Sequence, residues 1–271
     1  MSHRRPFLKW AGNKYRLLDR ILPLLPAGER LIEPFAGAAA VGLNSPYPAL
    51  RLVDSNRDLI ALYRELAERG PAFIDACREL FTPENNRAEA YYALRATFNA
   101  SPDPAERARL FVYLNRHGYN GLCRYNRSGG YNVPFGRYRR PYFPEAEMHA
   151  FWERTRAGTL ELASGDFEAE FDAARPGDVI YADPPYVPLS PTASFTGYGP
   201  LRFAREEQLR LARAAERAAK RGVPVLLSNH DTPFTRDHYG GARLERFDVA
   251  RSISRDGGNR RPAGELLALF T

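Results

Sequence analysis

Apolar and polar positions follow one another in blocks along the first seventy residues, and the blocks have the lengths of strands and helices. Apolar runs at 31–35 and 50–54 predict two strands, the second of which ends in a carboxylate. Small residues at 36–42 form the turn between them. An amphipathic helix is predicted at 58–68, where apolar side chains share one face: Leu59, Leu62, Tyr63 and Leu66. This order predicts a βαβ unit.

The strand pattern is lost after this unit and returns only at residue 159. Helices are predicted at 71–80, 88–99 and 105–116, and the sequence Arg-Ser-Gly-Gly at 127–130 predicts the turn of a β-hairpin. Later elements are strands at 159–163, 178–182, 223–228, 244–250 and 266–270, and a helix at 205–221. We therefore predict an α/β sheet built from 1–55 and 145–271, interrupted at 56–144 by a mostly helical insert.

The excess positive charge of the chain is concentrated in the second half of this insert. The net charge is +7, from 39 Lys and Arg against 32 Asp and Glu, and the segment 107–144 contains no acidic residue. Basic side chains neutralise phosphates and aromatic rings stack on bases, so the segment offers both parts of a nucleic-acid interface. Its arginines are 107, 109, 116, 124, 127, 137, 139 and 140, and its tyrosines are 113, 119, 125, 131, 138 and 142.

Composition also narrows the class of protein. No apolar stretch is long enough to cross a bilayer and the N-terminus lacks the apolar segment of a signal peptide, so we expect a cytoplasmic protein with no membrane partner. Cys77 and Cys123 have no metal-binding spacing, so neither a disulfide framework nor a metal site is expected.

The four residues after the apolar run at 178–182 carry the most informative chemistry. Open α/β sheets place their reactive groups at the C-terminal ends of strands, and Asp183, Pro184, Pro185 and Tyr186 follow such an end. The Asp183 carboxylate and the Pro184 carbonyl can each accept one hydrogen of an exocyclic amine, while Tyr186 stacks on its ring. The nitrogen lone pair is then available to an electrophile, which predicts N-methylation. The alternative is an ordinary proline-rich turn.

The turn after the first strand suits a nucleoside. Gly37 allows backbone to approach a ligand at a helix N-terminus, and Asp54 can accept from ribose hydroxyls. The turn lacks the three glycines of a pyrophosphate site, which favours S-adenosylmethionine, a phosphate-free nucleoside with an electrophilic methyl group. An alanine-rich helix start beside a solvated aspartate is the alternative.

Two of the three lysines of the chain, Lys9 and Lys14, lie in the octapeptide 7–14. Lys14 can meet the carboxylate of the cofactor, and Lys9 a base or a phosphate. Trp10 can pack beside the cofactor or in the core.

Other functions remain open at this point. The same acceptor turn can hold an RNA base or a glutamine amide, although the basic, tyrosine-rich insert favours duplex DNA over a glutamine side chain. A DNA-binding protein that senses S-adenosylmethionine without turnover is a further alternative, against which the intact Asp-Pro-Pro-Tyr turn argues. A deaminase is disfavoured because its zinc signature is absent, and a nuclease because a lysine near clustered carboxylates is absent.

Together these motifs resemble the Dam family of DNA adenine-N6 methyltransferases, which methylate the adenine of GATC. The similar segments span nearly the whole chain: 7–12, 33–37, 114–126, 132–138, 183–186 and 228–231. The resemblance implies a Rossmann-like S-adenosylmethionine-dependent methyltransferase sheet, with the DNA-recognition domain inserted at 56–144. The substrate implied is double-stranded DNA whose target adenine is flipped out, and we expect a monomer without metal.

The resemblance also implies residue roles by position. Cofactor contacts are implied for Trp10, Ala11, Lys14, Phe35, Asp54 and Asp183, and catalytic roles for Asp183, Pro184 and Tyr186. For DNA, the resemblance implies that Tyr119 wedges into the duplex and that Lys9 contacts the outer guanine. It implies base-edge contacts for Leu122, Arg124 and Pro134, and positions flanking the site for Asn120 and Tyr138. Phosphate contacts are implied for Arg116, Asn126 and Arg137. Asn13 departs from the family, which usually has glycine there.

Overall fold

A computed structural model describes residues 3–187, 203–249 and 263–271. Seven strands form one sheet: β1 (Arg30–Glu33), β2 (Ala49–Asp54), β3 (Thr159–Ser164), β4 (Asp178–Ala182), β5 (Val225–His230), β6 (Arg243–Val249) and β7 (Ala263–Phe270). Their order across the sheet is β3, β2, β1, β4, β5, β7, β6. The first five strands are parallel, whereas β7 is antiparallel to both of its neighbours. The predicted Rossmann-like α/β fold is thereby confirmed.

Ten α-helices lie in the part of the chain that the structure describes. They are α1 (Leu18–Ile21), α2 (Ala40–Asn44), α3 (Arg57–Arg69), α4 (Pro71–Arg78), α5 (Ala88–Ala100), α6 (Pro104–His117), α7 (Glu145–Arg156), α8 (Phe167–Ala173), α9 (Arg205–Lys220) and α10 (Pro233–His238). Among these described helices, none is both long and apolar enough to cross a membrane.

The parallel strands bring their carboxyl ends to one edge of the sheet. Every residue of β4 is buried, which explains why this strand is an unbroken apolar run after its first residue. At the opposite edge, where β4 starts, the Arg30 guanidinium donates to both carboxylate oxygens of Asp178 at 2.8 and 2.9 Å and to Glu161 at 3.0 Å. An ion-pair network therefore lies at the N-terminal ends of the parallel strands, whereas the candidate site lies at their C-terminal ends, called the carboxyl edge below.

Aromatic packing organises the predicted insert. Tyr91 and Phe98 of α5 and Phe111 of α6 are buried with Tyr131, in a core that also includes apolar residues of α3 and α7. Helix α3 thus contributes to the same apolar cluster as α5 and α6. The boundaries 56–144 stay a prediction.

Several local features differ from the sequence-based expectation. The predicted hairpin turn at 127–130 is present, but only isolated bridges flank it, between Tyr125 and Tyr131 and between Gly118 and Phe135. The apolar pattern does not predict α7, α8 or α10, because these helices are short or bury few apolar residues. The strand predicted at 244–250 extends to residue 250, which lies outside the described residues.

Candidate active site and DNA-facing surface

Three acidic side chains lie at the carboxyl edge of adjacent strands. Glu33 ends β1, Asp54 ends β2, and Asp183 follows the last residue of β4. Because β1 lies between β2 and β4, the predicted nucleoside carboxylate and the predicted catalytic carboxylate flank the turn that follows β1. One edge therefore brings together residues that are far apart in sequence.

Asp183 lies against the N-terminal segment of the chain. The Lys14 ammonium forms an ion pair with Asp183, 2.9 Å from its Oδ1, and donates to the Gly12 carbonyl at 2.7 Å. The same ammonium lies 4.6 Å from the centre of the Tyr186 ring. Burial raises the pKa of Asp183 above its ordinary value, and the Lys14 charge opposes this shift.

Tyr186 is held between two carboxylates. Its hydroxyl donates to Glu265 of β7 at 3.2 Å, and its ring lies edge-on to His230 with centroids 4.8 Å apart. Burial, followed by the charges of Asp183 and Glu265, raises the pKa of Tyr186, so its hydroxyl remains a donor. The predicted catalytic residues Asp183, Pro184 and Tyr186 therefore lie together at the carboxyl end of β4, with Pro184 buried and the other two partly buried.

The turn after β1 packs closely against Trp10 and Asp54. Gly37 has φ of +45°, and a Cβ there would lie 2.9 Å from the Trp10 indole nitrogen, so the ring packs directly on this glycine. Asp54 accepts from the Gly37 amide at 3.0 Å and from the Asn56 amide at 2.9 Å. These two bonds leave lone pairs on both Asp54 oxygens for further donors.

The other predicted cofactor residues surround this turn less closely. The Phe35 ring stacks on Phe167, with centroids 5.3 Å apart, and Ala11 is exposed. Asn13 has φ of −50°, which any residue adopts, and its side chain accepts from the Tyr15 amide at 2.9 Å. The asparagine at this position therefore caps the 3₁₀ helix Lys14–Leu17 without backbone strain.

Glu33 is buried and was not a predicted site residue. Its Oε1 accepts from the Gly42 amide at 2.6 Å. Burial raises the pKa of Glu33 to about 8; the Gly42 bond opposes the shift and the Asp183 charge adds to it. A carboxyl group that keeps its proton near neutral pH thus lies between the two predicted functional carboxylates.

A second group of predicted residues forms an exposed surface on the insert. The Lys9 ammonium lies 4.0 Å over the Tyr138 ring, and the Tyr138 hydroxyl accepts from the Asn120 amide at 2.9 Å. The Tyr119 amide donates to the Pro134 carbonyl at 2.9 Å, while half of the Tyr119 surface is exposed. Lys9, Tyr119, Asn120, Pro134 and Tyr138 are therefore brought together in the structure.

The remaining predicted DNA contacts lie around this cluster. Arg124 donates through Nε to the Asn132 side chain at 2.7 Å and through Nη2 to its carbonyl at 3.1 Å. The exposed Asn126 closes the 127–130 turn by accepting from the Gly130 amide at 2.8 Å. Leu122 is half-buried and its carbonyl accepts from the Tyr131 hydroxyl.

Two arginines of this surface differ sharply in environment. Arg137 is exposed and has φ of +52°. Arg116 is 8% exposed, and its Nε has no hydrogen-bond partner in the structure. Its guanidinium lies 5.1 Å from the Tyr142 ring, and burial lowers the pKa of Arg116. Arg116 is thus a desolvated cation held in place by an aromatic ring.

Sequence reasoning did not single out several polar residues that surround the Asp-Pro-Pro-Tyr turn. These are Glu33, Gln208, Asn229 and Glu265. Glu265 is a charged residue inside an otherwise apolar strand, and Glu33 is a charged residue at the C-terminal end of β1; these positions are the signals that could have found them. Gln208 carries no such signal, because polar residues are common on a helix.

The comparisons with known proteins agree with this arrangement. A family model described as the D12 class N6 adenine-specific DNA methyltransferase matches residues 10–253. The chain belongs to this family. It is 52% identical to the DNA adenine methylase of Escherichia coli K12, over all of this chain and 96% of that protein. Identity to the DNA adenine methylase of Vibrio cholerae is 48%, over all of this chain and 98% of the relative.

Among solved structures, an rRNA methyltransferase of Streptomyces viridochromogenes aligns with a TM-score of 0.40 and 12% identity, over 99% of this chain and 88% of that one. Membership of the D12 family makes the protein an enzyme that methylates adenine N6 in DNA.

Proposed function

We propose that the enzyme transfers a methyl group from S-adenosylmethionine to adenine N6 within GATC of double-stranded DNA, with the target base flipped into the space beside Asp183. The observation that carries this proposal is the position of Asp183 and Tyr186 after β4, on the same sheet edge as Gly37 and Asp54.

The residues at this edge fit a phosphate-free nucleoside. Trp10 packs on Gly37 and leaves a turn without bulky side chains, and Asp54 retains acceptor capacity beyond its two backbone bonds. Trp10, Ala11, Lys14, Phe35, Asp54 and Asp183 would hold S-adenosylmethionine, which supplies the electrophilic methyl group when it is bound.

The Asp-Pro-Pro-Tyr turn would prepare the amine for attack. A carboxylate oxygen of Asp183 and the Pro184 carbonyl accept the two N6 hydrogens, so the nitrogen lone pair is drawn out of conjugation with the ring. Tyr186 packs on the adenine, with its hydroxyl anchored to Glu265. These groups are fixed before substrate binds, and no covalent intermediate with the protein is needed.

Adenine N6 is hidden inside a base pair of duplex DNA, and extruding the base costs a few kcal/mol. Tyr119 would offset part of this cost by filling the gap, since it is half-exposed at the start of the turn at 119–121. Lys9, Asn120 and Tyr138 would contact the flanks of the site, while Leu122, Arg124 and Pro134 contact base edges. Arg116, Asn126 and Arg137 would hold phosphates. The GATC assignment rests on the resemblance of segment 114–138 to the Dam family.

The test is incubation of unmethylated duplex DNA with the enzyme and tritiated S-adenosylmethionine, followed by nucleases that distinguish methylated from unmethylated GATC. We expect tritium in DNA and protection at GATC, with no incorporation into RNA of the same sequence. Methylated adenine at unrelated sequences would contradict the GATC assignment.

Asp183→Ala should lower methyl transfer at least about 100-fold while duplex binding is retained, because one acceptor of the amine is lost. Asp178→Ala is the matched control, since it removes an ion-paired aspartate from the other end of the same strand. It should lower thermal stability and leave transfer by the folded enzyme intact. Near-normal turnover of Asp183→Ala would refute the caged-amine role.

A further inference from the structure

Two buried amide side chains form a relay behind the Asp-Pro-Pro-Tyr turn. Gln208 of α9 donates from Nε2 to the Pro185 carbonyl at 2.7 Å. Asn229 of β5 donates from Nδ2 to Oε1 of Gln208 at 3.0 Å, and its Oδ1 accepts from the Val187 amide at 3.0 Å. The relay therefore connects the carbonyl before Tyr186 to the amide after it.

The backbone at both ends fixes the direction of this relay. The Pro185 carbonyl can only accept, so the amide nitrogen of Gln208 must face it and the amide oxygen must face Asn229. At the other end, the backbone amides of Val187 and His230 can only donate, and both donate to Oδ1 of Asn229. Each amide has one orientation that satisfies all of these bonds, so neither side chain can rotate without losing one.

Burial makes the loss of any of these bonds expensive. Gln208 is 2% exposed, whereas Asn229 and Tyr239 are fully buried, and the Tyr239 hydroxyl accepts a second hydrogen bond from Asn229 at 3.0 Å. Water cannot replace a lost partner at such a position without a rearrangement of the core. The relay therefore holds the turn with little freedom.

We propose that Gln208 and Asn229 are positioning residues for methyl transfer, which fix Tyr186 by holding the peptide groups on either side of it. This inference rests on the proposed role of the Asp-Pro-Pro-Tyr turn. Tyr186 is then held at three points, namely the Pro185 carbonyl, the Val187 amide and its own hydroxyl at Glu265. A shift of the turn moves the Tyr186 ring and the Pro184 carbonyl together, and small displacements of reacting groups are costly in rate.

Gln208→Met keeps the length of the side chain and removes its donor. We expect kcat for methyl transfer to fall about 10- to 100-fold. The KM for DNA and the Kd for S-adenosylmethionine should change by less than about threefold, because no group proposed to bind either one is altered. Tyr239→Phe, which removes one bond of Asn229 and leaves the bonds to the turn, should have a smaller effect on kcat.

Gln208→Glu supplies a readout that loss of structure alone would not move. A carboxylate cannot donate to the Pro185 carbonyl, but its protonated form can, so kcat relative to the wild type should rise as the pH is lowered. The ratio to the wild type is needed because both proteins share the ionisable groups that lie around the turn: Lys14, Asp183, Tyr186, His230, Tyr239 and Glu265.

Tyr47→Phe is the control, because it also removes a buried hydrogen bond to a backbone carbonyl, that of Pro26, beside the start of β2. It should lower the melting temperature without lowering kcat. A normal kcat in folded Gln208→Met, or a pH-independent ratio for Gln208→Glu, would overturn the positioning role. Asp183→Ala separates this outcome from failure of the proposed function, since substantial activity in that variant would count against the catalytic turn itself.

Discussion

The carboxyl edge of the sheet and the DNA-facing surface of the insert are built in opposite ways. At the sheet edge the functional side chains are enclosed by the protein: the Lys14 side chain is 7% exposed and that of Asp183 is 18% exposed. On the insert, Tyr119 is 50% exposed, and the backbone of its turn is held by the Pro134 carbonyl and by the Tyr138 hydroxyl.

This difference follows from what each region has to bind. A small cofactor and one base need a dry, fixed cavity, because electrostatic contacts are stronger where water is excluded. A duplex is a large, hydrated polyanion, and most residues proposed to meet it are at least partly exposed; Arg116, at 8% exposure, is the exception. Substitutions at the sheet edge should therefore change rate and stability together, and substitutions on the insert should change DNA binding with little change in stability.

The largest effect on stability is expected for Glu33→Gln. The pKa of Glu33, about 8, lies above its ordinary value of 4.5, so the folded protein retains a proton that the unfolded chain releases in this interval. The contribution of Glu33 to stability is complete below about pH 4.5 and is lost as the pH rises through about 8, by a few kcal/mol. Gln cannot ionise, so the variant should lose less stability than the wild type as the pH rises from about 4.5 to about 8 in denaturant titrations.

Glu68→Gln, on the exposed side of α3, is the control for this titration and should leave the pH dependence of stability unchanged. If Glu33→Gln and the wild type change stability in parallel between about pH 4.5 and 8, the carboxyl group is ionised in the folded protein over that range. The carboxyl edge would then be less shielded from water than the burial of Glu33 suggests, and it would differ less from the exposed surface around Tyr119.

The next effect concerns sequence discrimination by Arg124. Two of its five N–H groups are engaged by Asn132, which orients the guanidinium and leaves three donors for a base edge. Arg124→Ala should lower discrimination at one base pair by about 1–3 kcal/mol in competition assays with single-base variants of GATC. Arg127→Ala, an exposed arginine of the hairpin turn, should leave discrimination intact. A uniform loss of affinity for Arg124→Ala would make this residue a phosphate contact.

A smaller effect is expected for Tyr119→Ala, about 1–2 kcal/mol on base extrusion, in the range of one aromatic stacking contact. The fluorescence of 2-aminopurine at the target position reports extrusion and should be reduced in the variant. Tyr92→Ala removes a tyrosine of similar exposure from α5 and should preserve the signal. An undiminished signal in Tyr119→Ala would mean that another residue keeps the base outside the helix.

The sequence predicted the strands of the parallel sheet because each is a short apolar run with a turn after it. It also placed Asp54 and Asp183 at the C-terminal ends of strands, where open α/β sheets carry their reactive groups. The antiparallel position of β7 between β5 and β6 was not predicted, because an apolar strand carries no mark of its direction.

Contacts between distant segments could not be predicted from the sequence either. The buried Asn115 accepts from the Lys9 amide at 2.9 Å and donates to the Lys9 carbonyl at 2.7 Å, which joins residues that are 106 positions apart. The relay of Gln208 and Asn229 likewise depends on how α9 packs beside β5. Residue type and spacing identify a reactive group at a strand end, but the groups that hold it come from tertiary packing.

The smallest effect, on DNA affinity, is expected for substitution of Arg137, an exposed residue of the insert. Its φ of +52° makes glycine the least disturbing replacement, so Arg137→Gly removes the charge and preserves the backbone conformation. If Arg137 holds one phosphate, affinity should fall uniformly across DNA sequences, and the slope of log K against log salt should decrease by about one unit. Arg243→Ala, on the edge strand β6, should leave the slope unchanged. A loss confined to GATC would instead mean that Arg137 contacts a base. The exposed surface of the insert would then contribute to sequence discrimination at Arg137 as well as at Arg124.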